Sequence, residues 1–161
     1  MDENGRLWVP RNASAKRIGE MVTIKWGLQN SDNWVTAYLM SQLSPYTFVR
    51  LLHSFGLKNH IDPVISVCLG TPDVSVVRRS GYRLLPTRHP VEPLFVTRIE
   101  DSYGNTIANF TPQMSEVLTE DASYKMLHML KSVIDGGTGG RVRFRYGIKA
   151  EMGGKTGTTQ N

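Results

Sequence analysis

The stretch Gly153-Gly154-Lys155-Thr156-Gly157-Thr158-Thr159-Gln160-Asn161 decides how this chain is read. Two chemistries use Gly-Lys-Thr. A phosphate-binding loop places a glycine, four residues and then Gly-Lys-Ser/Thr, so that backbone N–H groups cradle the phosphate. Counting back from Gly154 puts that first glycine at position 149, which is Lys149, and Gly147 comes two positions too early. Such a loop also opens a helix, and only six residues follow Lys155. The spacing therefore excludes a phosphate loop. The second chemistry is recognition of a peptide ending in a carboxylate and lying along a sheet edge. A lysine supplies positive potential, the hydroxyls of Thr156 and Thr158 bond the carboxylate, and Gly157 lets the two backbones approach.

Upstream, Ser31-Asp32-Asn33 ends the polar cluster Gln29-Asn30-Ser31-Asp32-Asn33. Alone it reads as a polar helix cap. Paired with Lys155-Thr156-Gly157 it reads as a Ser-x-Asn motif, in which Ser31 relays a proton to a leaving amine and Asn33 bonds the substrate's amide backbone. With both motifs in hand, residues 8–73 and 91–161 resemble the second half of a class A penicillin-binding protein, the bifunctional peptidoglycan synthase type. Further stretches are similar to recurrent segments of that family. They are Trp8-Val9-Pro10-Arg11-Asn12, Val22-Thr23-Ile24-Lys25-Trp26-Gly27-Leu28, Phe55-Gly56-Leu57 and Leu69-Gly70-Thr71-Pro72-Asp73-Val74-Ser75. Arg98-Ile99-Glu100-Asp101-Ser102-Tyr103-Gly104 and Gly136-Gly137-Thr138-Gly139 complete the set.

The resemblance implies an α+β fold of the penicillin-binding protein and β-lactamase type, with residues 1–161 as one incomplete transpeptidase domain. It implies a serine-type D,D-transpeptidase that cross-links peptidoglycan stem peptides by acyl transfer at D-Ala-D-Ala. Catalytic roles fall on Ser31, Asn33 and Lys155, and substrate binding on Thr156, Gly157 and Thr158. No cofactor and no metal are expected. The partners of the intact protein are the stem peptide and β-lactams, without nucleic acid. Membrane contact comes only through an anchor outside these residues, on the periplasmic face of the inner membrane.

The family nucleophile is the serine of Ser-x-x-Lys, and no serine of this chain has a lysine three places on; Ser14 is followed there by Arg17. The nucleophile is thus expected upstream of Met1, and the chain alone is expected to be inactive. Two other readings stay open. A class A β-lactamase shares both motifs, but none of the glutamates begins its Glu-x-x-Leu-Asn segment. A non-catalytic binding or sensor relative would keep the fold and lose the chemistry, and the retention of both motifs argues against it.

Composition excludes several classes. At 40% hydrophobic and 20% charged residues the chain is ordinary globular material,. No apolar run approaches the ~18 residues of a membrane span, and Met1-Asp2-Glu3-Asn4-Gly5 lacks the basic start of a signal peptide,. A single cysteine, Cys68, excludes an internal disulfide and reads as a small buried hydrophobe. His53, His60, His89 and His128 have no metal-ligand spacing, and His128 reads as a structural histidine on a helix. The net charge of +5 is local: Arg78, Arg79, Arg83 and Arg88 lie between Asp73 and Glu92, and without them the balance is +1. No aromatic platform interleaves with them as nucleic-acid binding requires. Residues 76–90 also depart from the family, carrying two prolines and a glycine where it has an amphipathic helix,. They read as a locally scrambled stretch, such as a reading frame shifted and restored before Val91, with a functional basic patch as the rival.

Periodicity predicts helices over Ile18–Gln29 and Trp34–Leu43. A third follows Ser44 as N-cap and Pro45, with Phe48, Leu51, Leu52 and Phe55 facing a core. Leu94–Ile99 and Thr106–Phe110 flank a turn at Asp101–Asn105 and predict a hairpin. A helix capped by Thr119 should bury Met126, Leu127, Leu130, Val133 and Ile134, and a strand-like stretch is expected over Arg141–Ile148.

Overall fold

A computed structural model of the chain describes residues 9–14, 17–72, 94–112 and 116–157. Its first three helices are α1 (Ile24–Asn30), α2 (Asn33–Gln42) and α3 (Pro45–Ser54). Each starts where a side chain satisfies one of the N–H groups that a helix leaves without an internal partner. Thr23 accepts from Trp26 N, Asp32 from Val35 N and Ser44 from Thr47 N. The first helix therefore begins at Ile24, not at Ile18 as periodicity predicted. Arg17 and Gly19 take positive φ values of 65° and 83°, which no α-helix contains, and Thr23 is extended before it caps,.

The main core lies where α2 packs on a 3₁₀ turn, Ile65–Leu69. Met40, Val49, Leu57, Ile61 and Val67 are buried there, with Phe48, Leu52, Ile65 and Cys68 half-buried against them. Of the stripe predicted for α3, Phe55 is buried and Phe48 and Leu52 pack half-buried on the core, while Leu51 is exposed and Val49 faces inward in its place. A 3.6-residue period leaves the centre of an apolar stripe uncertain by about one residue when Val lies beside Phe in the same run. Cys68 is half-buried where full burial was expected, and desolvation pushes its thiol pKa up,. Its neighbour Val67 takes the interior position.

A longer helix, α4 (Glu120–Gly136), is capped by Thr119, which accepts from Ala122 N, and carries Glu120 and Asp121 in its first turn. Acids there meet the positive end of the helix dipole. Leu130, Val133 and Ile134 are buried, and α4 packs on α1. Leu127 was placed on the same face but is exposed, and its neighbour His128 instead meets Lys25 of α1, with Nε2 2.9 Å from the ammonium.

Residues 141–148 are not a strand. Arg141–Phe144 form a short helix, α5, whose N–H groups of Arg143 and Phe144 bond back to Gly140. Arg143 explains the difference, because its guanidinium bonds Asp135 on α4 and the carbonyls of Ile148 and Ala150. Those contacts need the chain coiled beneath it. The hairpin is present, as β1 (Arg98–Glu100) and β2 (Thr106–Asn109), antiparallel with Ile99 opposite Ala108 and a bulge after Ile99. Asp101 shapes the turn by accepting from the N–H groups of Tyr103 and Asn105. The arrangement is α+β, as expected. Among the described residues no helix is long and apolar enough to cross a membrane. The basic stretch 76–90 and Thr158 lie outside the described residues.

Candidate active site

The site begins at the corner between α1 and α2. Ser31 N donates to Leu28 O at 3.3 Å and Asp32 N to Gly27 O at 2.8 Å. That pair of bonds is the Schellman closure of a helix, which requires a left-handed residue at the first position past the end. Ser31 fills it with φ 55° and ψ 46°. Asp32 then turns around as the N-cap of α2. Two consecutive residues therefore end one helix and start the next.

A second layer holds this corner. Asn12 donates from Nδ2 to Asp32 Oδ2 at 2.8 Å and accepts at Oδ1 from Asn33 N at 2.6 Å. Asn33 in turn donates its side-chain amide to Arg11 O at 2.7 Å. An Asn suits this place because it carries a donor and an acceptor on one rigid plane.

The glycine run after α4 comes up against the same corner. Thr138 N donates to Gln29 O at 3.0 Å. A Cβ on Gly137 would stand 2.2 Å from that carbonyl oxygen, so only glycine permits the approach,. Thr138 is the one residue between Gly136 and Gly140 with a side chain.

Residues 151–157 then run past with neither helix nor strand pairing, so Lys155-Thr156-Gly157 forms no strand among the described residues. Their anchors are on α4. Gly154 N donates to Leu130 O at 3.3 Å, and Lys131 pairs with Glu151 at 2.5 Å. With Gly154 N turned toward α4, and β1 paired with β2, the segment has no strand neighbour among the described residues. The Lys131 contact raises that ammonium's pKa and lowers that of Glu151.

The segments meet at Lys155. Its ammonium donates to Ser31 Oγ and, at 3.1 Å, to Thr156 O. Thr138 Oγ1 lies 2.7 Å from Thr156 Oγ1 and 3.5 Å from Ser31 Oγ. Partial burial pushes the Lys155 pKa down, because desolvation disfavours the charged form,. The result is one ammonium and three hydroxyls at a single place. Such a set can hold a carboxylate and pass a proton. Among the described residues no group of three or more His, Cys, Asp or Glu could hold a metal ion.

Of the residues singled out in the sequence, Ser31, Lys155 and Thr156 come together. Asn33 is adjacent, and one of the two N–H groups of its side-chain amide donates to Arg11 O,. Gly157 is exposed with open space where a Cβ would be. Two residues were missed. Thr138 had a signal, a lone hydroxyl in a run of glycines, and Asn12 stood in a quoted family segment without a role.

Comparison with known proteins finds relatives over nearly the whole chain. Penicillin-binding protein 1A of Aquifex aeolicus is 28% identical over 159 residues, 98% of this chain and 21% of that protein. Penicillin-binding protein 1B of Buchnera aphidicola is 26% identical over 162 residues, 99% of this chain and 22% of that protein. Penicillin-binding protein 2D of Bacillus subtilis is 25% identical over 137 residues, 84% and 20% respectively. The chain thus spans roughly a fifth of the length of these curated relatives. The D,D-transpeptidase domain of a peptidoglycan glycosyltransferase from Eggerthella lenta superposes with a TM-score of 0.68 at 17% identity, covering 87% of this chain and 42% of that one. No protein-family model matches the chain. The chain is similar to class A penicillin-binding proteins over nearly its whole length, and its fold is that of part of a D,D-transpeptidase domain.

Proposed function

We propose that this chain is the proton-relay and carboxylate-binding portion of a serine D,D-transpeptidase, acting on peptidoglycan stem peptides that end in D-Ala-D-Ala. The observation that carries the reading is the hydrogen bond from Lys155 to Ser31, which joins two motifs far apart in sequence. In the reaction a serine from outside these 161 residues attacks the carbonyl of the penultimate D-Ala. The C–N bond to the terminal D-Ala then breaks; Ser31 gives its proton to the leaving amine and is replenished by the one the attacking serine loses. The amine of a second stem peptide takes the acyl group from the resulting ester to form the cross-link. Lys155 and the hydroxyls of Thr156 and Thr158 bind the terminal carboxylate, Gly157 admits the peptide backbone, and Asn33 bonds a substrate amide. β-Lactams, whose carboxylate and strained amide mimic that terminus, acylate the same serine. The reaction takes place at the outer, periplasmic face of the inner membrane, and it needs no cofactor.

Fluorescent penicillin tests this. The chain alone acquires no covalent label. Fused in frame to a transpeptidase segment carrying Ser-x-x-Lys, it is labelled, and Ser31→Ala or Lys155→Ala slows labelling by about 10²–10⁴-fold. Labelling of the chain alone, or a folded fusion that stays unlabelled, would refute the assignment.

A further inference from the structure

The hydroxyl of Thr138 has no part in the scheme above, yet it stands between the two motifs. A lysine ammonium carries donors and no acceptor. In its contact with Lys155, Ser31 must therefore accept, which leaves the serine's own O–H to be directed elsewhere. Thr138 Oγ1 is 3.5 Å away, and it is itself 2.7 Å from Thr156 Oγ1. Its backbone is fixed, because Thr138 N bonds Gln29 O and Gly137 presses on the same carbonyl.

We propose that Thr138 is a positioning residue that orders Lys155, Ser31 and Thr156 into one directional hydrogen-bond chain, holding the Ser31 proton until a leaving amine takes it. The assignment rests on reading Ser31 as the relay. Lys155 donates to Ser31, Ser31 donates to Thr138, and Thr138 donates to Thr156. The long Ser31–Thr138 contact holds the proton loosely, so the serine can swing to a better acceptor with little loss. While it points at Thr138, Ser31 is a stronger acceptor for the ammonium, because hydrogen bonds in series polarise one another.

The test uses the 161-residue chain without ligand. The Lys155 ammonium is titrated through the ¹³Cε resonance in the parent, Thr138→Val and Thr138→Ser. Valine keeps the shape and removes the hydroxyl; the Lys155 pKa falls further, by a few tenths of a unit, since a hydrogen bond to the charged form is weakened. Serine keeps the hydroxyl and restores the parent value. An unchanged titration in Thr138→Val, or an equal fall in Thr138→Ser, would overturn the proposal. Should the valine variant fail to fold, Thr138→Ala makes the same deletion without added volume and is read the same way. Because no substrate or penicillin is involved, this result stands apart from the labelling experiment.

Discussion

Lys155 donates a hydrogen bond to Ser31 across 124 positions of sequence. The bond forms because both residues sit at ends of chain fixed by other means. Ser31 is held by the closure of α1, and Lys155 by the docking of residues 151–154 on α4. Neither placement depends on the lysine itself. Substitutions at the supports should therefore move the site more than they move the fold, or the reverse, according to which bond each one breaks.

Ser31→Gly separates the two roles of that residue. A left-handed backbone costs an L-residue about 1–2 kcal/mol, and glycine escapes it. The variant should gain about 1 kcal/mol in urea denaturation. It should also lose penicillin labelling in the fusion, since the relay hydroxyl is gone. A variant less stable than the parent would show that the side chain contributes more to the corner than its backbone conformation costs.

Asp32→Ala removes the N-cap of α2 and the acceptor for Asn12 together. The expected loss is about 1–2 kcal/mol by chemical denaturation. Asn12→Ala in the Asp32→Ala background should cost less than in the parent, because the bond between them is already absent. Additive losses would mean that Asn12 acts only through Asn33.

Gly137→Ala brings a methyl group against Gln29 O, where the gap is 2.2 Å. Relief requires the turn after α4 to withdraw from α1, at about 1–3 kcal/mol. The Thr138 N–H should then exchange with solvent faster than in the parent by hydrogen exchange. Unchanged protection would show that the turn yields somewhere else.

Asp101 gives the hairpin an acid-sensitive turn. Hydrogen bonds from Asn105, then from Tyr103 and Gly104, hold its pKa below the ordinary value. A depressed carboxylate contributes stability above its unfolded pKa of about 4 and loses it as pH falls through the lower folded value. Amide protection at Tyr103 and Asn105 should be flat from neutral pH down to about 4 and then decline. In Asp101→Ala it should be low throughout and indifferent to pH. A pH-dependent loss that persists in that variant would assign the effect to another acid.

The caps were legible in the sequence because they are local. Ser44-Pro45, Thr119 and the turn at Asp101 act on N–H groups within a few residues, and all of them appear as expected. The start of α1 was not, because the run from Ile18 has the apolar content of a helix, while the positive φ of Gly19 and the capping bond of Thr23 start the helix only at Ile24,. Residues 141–148 misled for a different reason: alternating Val142, Phe144 and Tyr146 resemble a strand, and the decisive partner of Arg143 is Asp135, on another helix. The motif residues could be named from type and order, while their meeting depends on long-range packing that no spacing encodes. Thr138 illustrates the gap, since a lone threonine among glycines shows that something must fit there and not what it touches.

The corner at Ser31 and Asp32 also fixes where the chain can tolerate changes of length. With only Ser31 and Asp32 between α1 and α2, one inserted residue would separate the left-handed closure of the first helix from the N-cap of the second,. The relay serine and the amide of Asn33 would then face different directions, however well the new turn was made. Insertions and deletions should be excluded at this step and accepted in the connection between β1 and β2, which makes the corner a fixed reference for aligning distant relatives.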